Sequence, residues 1–397
     1  MEPFDPRWPE LIADPYPVYA RYRAADPVHW GISPDPRFPG SWYIFGFADA
    51  KALLTDARLD SDHRKYLPPT AGAAARDPVR LSAMDAPEHT RLRSVIMEEF
   101  TARRTESLRA RVIDTIETRL AELAGRPSID IVEDYALLVP VAVIADLLGV
   151  PAADRETLRR LAHVVMQGYD IGGDLDTVRR ASEAAADFAA YFETLINSRA
   201  EARLAVDDLI EHFGRAERGG RLERAEIYDL CRFLVIAGFE TTLNLIGTGI
   251  FLLLGAPREL ERLLEAPAQR IGPAVEELLR MVSPVQRLDR YAREGLDVRG
   301  KRIRRGDSVR IMLGAANHDP AEFPDPERLD ITRNPQALAF GYGRHLCSGA
   351  SLARMEAQEA ILRFVQRMPR ARSDPERPPQ WRKMLMTRGL SRLPALV

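Results

Sequence analysis

The chain has 397 residues, 46% hydrophobic and 29% charged, with a net charge of −2. That composition is that of a soluble globular protein, and the charge balance gives no support to nucleic-acid binding as a main role. Its two cysteines, Cys231 and Cys347, lie far apart without C-x-x-C spacing, which excludes a disulfide scaffold and a cysteine-rich zinc site and fits a reducing, cytoplasmic setting.

In chain order, residues 1–23 carry Pro3, Pro6, Pro9, Pro15 and Pro17 without a basic start and apolar run, so no signal peptide is expected. Residues 42–45, after Pro39-Gly40, read as a strand. Residues 65–78, rich in Pro, Ala and Gly, read as a loop. Asp85-Ala86-Pro87-Glu88 reads as a helix start with an acidic N-cap. Helical apolar spacing covers 102–124, 129–148, 153–166 and 175–199. Residues 207–220 read as a charged surface connection. Residues 225–254 predict one unusually long helix, about 45 Å at ~1.5 Å per residue. A helix over 273–281 has Pro273 in its first turn. A hairpin around Gly300 (298–303) and a strand over 308–313 follow. The apolar stretches 136–150 and 246–256 are too short or too broken to span a bilayer, so no membrane anchor is expected. The expected fold is mainly α with a small β-rich lobe. One domain over 1–397 is expected, with the β-rich lobe mainly at 28–60, 287–313 and 381–397.

Chemistry concentrates in Phe340-Gly341-Tyr342-Gly343-Arg344-His345-Leu346-Cys347-Ser348-Gly349-Ala350, a glycine-spaced loop leading into a helical segment at 351–368. Gly341, Gly343 and Gly349 lack a Cβ that would hold the backbone off a large planar ligand. A thiol at a helix N-terminus is favoured as thiolate. Within the long predicted helix, Ala237-Gly238-Phe239-Glu240-Thr241-Thr242 places an acid and hydroxyls among apolar residues, where they need partners or water. Small Ala237 lies one turn from Thr241 and leaves room there, or Thr241 bonds back to its own helix. Arg280 can pair with Glu277 or Glu276 at helical spacing. Cys231 reads as packing.

The loop, with its F-x-x-G-x-H-x-C-x-G spacing, resembles the haem-binding loop of the cytochrome P450 family. The resemblance extends in order over nearly the whole chain, through the helix at Asp85, the A-G-x-E-T motif, E-x-x-R, Ala316-Asn317-His318-Asp319-Pro320 and the closing segment 388–394. It implies haem b, with Cys347 as axial iron ligand and Ala237, Phe340, Gly341 and Gly349 against the cofactor. It implies propionate contacts from His89, Arg93, Arg290 and His345, for which bidentate arginine is suited. Thr241 would hold dioxygen and its water, and Glu240 would relay protons, since O–O cleavage needs them in a dry pocket. Glu277, Arg280 and Arg328 would brace the cysteine loop. Phe233, Ile236, Ala237, Val285, Gln286, Leu288, Met386 and Thr387 would line the substrate chamber, with residues 65–80 covering it and 175–199 in its lid. His318 and Ala337 depart from the family pattern and leave their local contacts open.

These features imply a monooxygenase that uses O2 and two externally supplied electrons to hydroxylate or epoxidise a medium-sized, largely apolar molecule in bacterial secondary metabolism. Oxidative coupling or rearrangement is the alternative. A haem sensor would need no Glu240–Thr241 pair, and a cysteine hydrolase rarely finds its base two residues from the nucleophile. Ferredoxin and ferredoxin reductase are the expected electron donors, docking at Arg344, Arg354, Arg103 and Arg104. A monomer is expected, without nucleic acid or membrane.

Overall fold

The computed structural model describes residues 1–35, 37–67, 81–168, 175–202, 207–384 and 386–397. The segment expected to cover the substrate chamber lies outside these from residue 68 to residue 80. The fold is mainly α with small sheets, as expected.

The long helix, Arg224–Leu254, organises the helical part. Glu223 and Glu226 close its N-terminus reciprocally, each side chain meeting the other's backbone N–H. By length and composition it could cross a membrane, which the shorter apolar runs read singly did not show. Yet 78% of its most apolar window is buried inside the protein, so it is a core helix. Packed on it are Leu138–Leu147, Arg155–Gln167, Leu175–Ala202, Pro267–Val282 and Ala350–Arg367. Their inward faces share one apolar cluster running from Leu81 to Ala395.

The larger sheet has the spatial order Val28–Gly31, Ser41–Ile44, Ser308–Ile311, Leu288–Ala292, Leu59–Asp60. Only the Ser41–Ile44 and Ser308–Ile311 neighbours are parallel. The hairpin Leu296–Val298/Lys301–Ile303 turns through Arg299 (φ 50°) and Gly300 (φ 76°), the doubly left-handed pair that a tight hairpin demands.

Four local expectations are corrected. Residues 207–220 contain a helix, Leu209–Arg218, N-capped by Asp208 and burying Leu209, Ile210, Phe213 and Ala216. Residues 128–130 form a strand paired with Pro394–Leu396, and the helical path then runs through a π-helical segment, Val132–Ala136, into Leu138–Leu147. Pro273 lies inside Pro267–Val282, not in its first turn. Asp85 does not cap its helix with its side chain; its carboxylate accepts from Ser61 N (2.9 Å), Asp62 N (3.2 Å) and Lys65 Nζ (2.8 Å).

Candidate active site

The cysteine loop is held by a chain of buried polar contacts that starts in Pro267–Val282. Glu277 and Arg280, both fully buried, form a two-pronged pair at 2.8 Å, which leaves Glu276 to Arg354 (2.5 and 3.1 Å). Arg280 also donates to the carbonyls of Asn317 (3.0 Å) and Pro326 (2.8 Å). The third member of the trio is Arg333, whose Nε reaches Glu277 at 3.2 Å; Arg328 is exposed and pairs with Asp330. Arg328 contributes only its carbonyl, 3.5 Å from Arg280 Nη2. The Asn317 side chain accepts from Leu338 N at 2.7 Å, Leu338 O accepts from Gly341 N at 2.8 Å, and Phe340 O accepts from Cys347 N at 3.0 Å. The buried ion pair thus connects by short steps to the backbone of Cys347. His318, which departs from the family pattern, is fully satisfied between Glu327 and Met281 O and stacks on Tyr16 at 3.8 Å.

Gly341 and Gly343 both take left-handed φ, at 73° and 76°. A Cβ on Gly343 would lie 2.9 Å from Thr55 Cγ2, so that glycine serves close packing with residues 54–55 and not a ligand. Leu288 abuts Gly341. The Cys347 side chain is exposed, yet protein crowds it enough that desolvation pushes the thiol pKa up. The Gly349 N–H, Arg93 and Arg354 oppose this without reversing it. Burial therefore works against the thiolate that a helix N-terminus favours, whereas coordination to a metal ion deprotonates such a sulfur outright.

Beside the loop, basic side chains gather from three elements. The His89 and His345 rings lie 4.1 Å apart. His89 Nε2 and Arg290 Nη2 are buried without a hydrogen-bond partner among the described residues, and His345 Nε2 reaches Ser61 Oγ at 3.0 Å. Burial, then Arg290 and His89, lower the His345 pKa to about 3; burial lowers Arg290 to about 10. Among the described residues no carboxylate pairs with these three groups. Unpaired His89 and Arg290 nitrogens, with His345 beside them, fit an anionic cofactor such as the two haem carboxylates. Arg93 bonds the loop itself, donating to Leu346 O (2.6 Å) and Ser348 Oγ (3.0 Å).

On the long helix, Phe233, Ala237 and Thr241 lie one turn apart and are only partly buried, an accessible stripe where residues 230–250 are, Gly238 aside, otherwise buried. Thr241 Oγ1 donates to Ala237 O at 2.7 Å, the back-bonded geometry. Glu240 is 1% exposed and accepts from Thr387 Oγ1 at 3.2 Å. Ile236 is buried; Val285 and Met386 are partly buried in two segments outside the strands, joined by the isolated Val285–Thr387 bridge and by Gln286 N to Met386 O (2.8 Å). Gln286 does not fit the role of chamber lining. Its amide donates to Ser283 O (2.8 Å) and packs against the Gly314 backbone.

The sequence reading missed Glu356, on the helix after the cysteine loop, and Asn244, one turn beyond Glu240. Burial without a counter-charge raises the Glu356 pKa to about 8, and both polar atoms of the Asn244 amide are unpaired among the described residues. An acid at helical spacing among apolar residues of 350–367 was the available signal for Glu356.

A mostly helical fold presenting an exposed cysteine beside buried Arg290 and the nitrogen donors of His89 and His345 defines the class, a protein fitted to hold an anionic cofactor. The family model described as cytochrome P450 matches residues 42–390, and the chain belongs to that family. The biotin biosynthesis cytochrome P450 of Bacillus subtilis (strain 168) is 37% identical, covering 91% of this chain and 90% of that protein. The cytochrome P450 monooxygenase PikC of Streptomyces venezuelae is 36% identical, covering 97% and 91%. A solved structure of P450BioI with an acyl carrier protein bearing hexadec-9Z-enoic acid superimposes with a TM-score of 0.90 at 35% identity, covering 98% of each chain. The protein is a haem-thiolate monooxygenase with haem b as cofactor, O2 as co-substrate, a small-molecule substrate and separate redox partners.

Proposed function

We propose that Cys347 is the axial ligand and that the protein hydroxylates or epoxidises a medium-sized, largely apolar metabolite in bacterial secondary metabolism. The observation that carries the site assignment is the enclosed set of nitrogen donors of His89, Arg290 and His345 beside the Cys347 loop, with no carboxylate paired to them among the described residues. These residues would hold the haem carboxylates, with Arg93 fixing the loop and Ala237, Phe340, Gly341 and Gly349 against the ring. Bound haem supplies the iron at which O2 is reduced and split, one oxygen atom going to the substrate. Thr241 would hold a water or dioxygen by its hydroxyl once released from Ala237 O, and Glu240 would carry protons to it. Phe233, Ile236, Ala237, Val285, Leu288, Met386 and Thr387 would shape the chamber, a mainly apolar lining suited to a substrate with few polar groups. The chain would work as a single-domain cytoplasmic monomer, with a ferredoxin and its reductase supplying electrons. An acyl chain on a carrier protein is a second reading, favoured by the likeness to the P450BioI complex.

Reduced protein treated with carbon monoxide should show the red-shifted band of thiolate-bound haem, and Cys347→Ser should lose it. A folded, haem-loaded Cys347→Ser protein with the wild-type band and turnover would sink the assignment. Titration with metabolites and with acylated carrier protein, read as a low- to high-spin shift, separates the two substrate readings.

A further inference from the structure

Glu240 and Thr387 are 1% and 2% exposed, and they meet through the 3.2 Å hydrogen bond from the Thr387 hydroxyl to Glu240 Oε1. Thr387 belongs to a different part of the chain, on a segment fixed by several contacts. Its backbone bridges to Val285, Met386 O accepts from Gln286 N at 2.8 Å, and Arg388 N donates to Pro284 O at 2.9 Å. Two residues on, Gly389 comes so near the long helix that a Cβ there would lie 2.0 Å from Asn244 Oδ1. Thr387 is therefore clamped, and through it Glu240 is held from outside the helix that carries it. The neighbouring alcohol is engaged elsewhere, since Thr241 donates to Ala237 O at 2.7 Å. A glutamate has several torsions to fix, and an acid that transfers protons must be oriented before the step.

We propose that Thr387 is a positioning residue for Glu240, its hydroxyl helping to set the orientation from which the acid passes protons. This rests on the proton role proposed above for Glu240. Because Val285 and Met386, the bonded neighbours of that segment, are chamber candidates, a substrate that shifts them moves the anchor of the acid. Substrate fit and proton supply are coupled through the Thr387–Glu240 hydrogen bond.

Thr387→Val and Thr387→Ala both remove the hydroxyl, so a folding defect peculiar to one does not decide the matter; Thr387→Ser retains it. In crystal structures of the hydroxyl-free variants the Glu240 carboxylate should leave its present position, and in Thr387→Ser it should stay. A Glu240 that keeps its place without the hydroxyl overturns the inference. With the loaded enzyme, the hydroxyl-free variants should send a several-fold larger share of electrons to peroxide and shift the pH profile of coupling, with Thr387→Ser restoring both. In a Glu240→Gln background the same changes should add no further loss. A further, independent loss shows that Thr387 acts otherwise. If Glu240→Gln alone leaves coupling intact, the proton reading falls, and the crystallographic comparison still decides the contact.

Discussion

Two arginines of one short stretch have opposite fates at the level of single residues. Arg333 meets fully buried Glu277 while Arg328 lies on the surface with Asp330. Removing one partner from a buried network leaves charge uncompensated, whereas an exposed pair contributes little. Arg333→Ala should lower unfolding free energy by roughly 1–3 kcal/mol and Arg328→Ala by less than ~0.5 kcal/mol in chemical denaturation. Helical spacing left Arg280 to Glu277 or Glu276 and the family resemblance pointed to Glu277, but the third partner depends on how residues 324–333 fold back, which no local pattern carries. Glu356 has a pH signature. Its folded pKa, about 8, lies above the ordinary carboxyl value, so the folded state binds the extra proton between those limits. Stability from this group is present below the unfolded pKa and declines as pH rises through about 8. Glu356→Gln should flatten that decline, gaining most over wild type near pH 8 and least near pH 5, as denaturation at the two pH values will show.

Among the secondary-structure elements, the helix Leu209–Arg218 shows how charge masks amphipathicity. Its acidic and basic residues dominate the sequence, yet Leu209, Ile210, Phe213 and Ala216 form a buried face, and Asp208 accepts from Glu211 N at 3.0 Å. Asp208 also pairs with Arg199 at 2.7 Å, joining this helix to Leu175–Ala202. Asp208→Ala should destabilise by about 1–2 kcal/mol, more than cap loss at an isolated helix, and melting temperature will register it. The C-terminal segment makes the complementary case for steric limits. Gly389→Ala would force a Cβ onto the Asn244 amide, so reduced stability or yield is expected, with Asn244→Ala relieving part of the defect.

The expected electron-transfer face draws on distant parts of the chain, and the structure divides its four arginines. Arg104 is engaged by Glu99 and Asp207 and Arg354 by Glu276, whereas Arg103 and Arg344 are exposed and carry no ion pair among the described residues. If an acidic ferredoxin docks there, turnover should fall as salt rises. Arg103→Gln and Arg344→Gln should raise the apparent Michaelis constant for ferredoxin several-fold, with little change for Arg104→Gln. Indifference to both salt and substitution removes that face.

Residues that act through neighbours along the chain could be read directly: the long apolar helix with its A-G-x-E-T interruption, the Gly300 hairpin and the glycine-spaced Cys347 loop. Their geometry follows from helical spacing, φ preference and turn chemistry, which are local. Contacts between distant segments required the folded chain: Thr387 on Glu240, Arg333 on Glu277, His89 against His345, and the pairing of residues 128–130 with the last strand. So did the raised thiol pKa of Cys347, because desolvation is the work of everything packed around an atom and no stretch of sequence contains it.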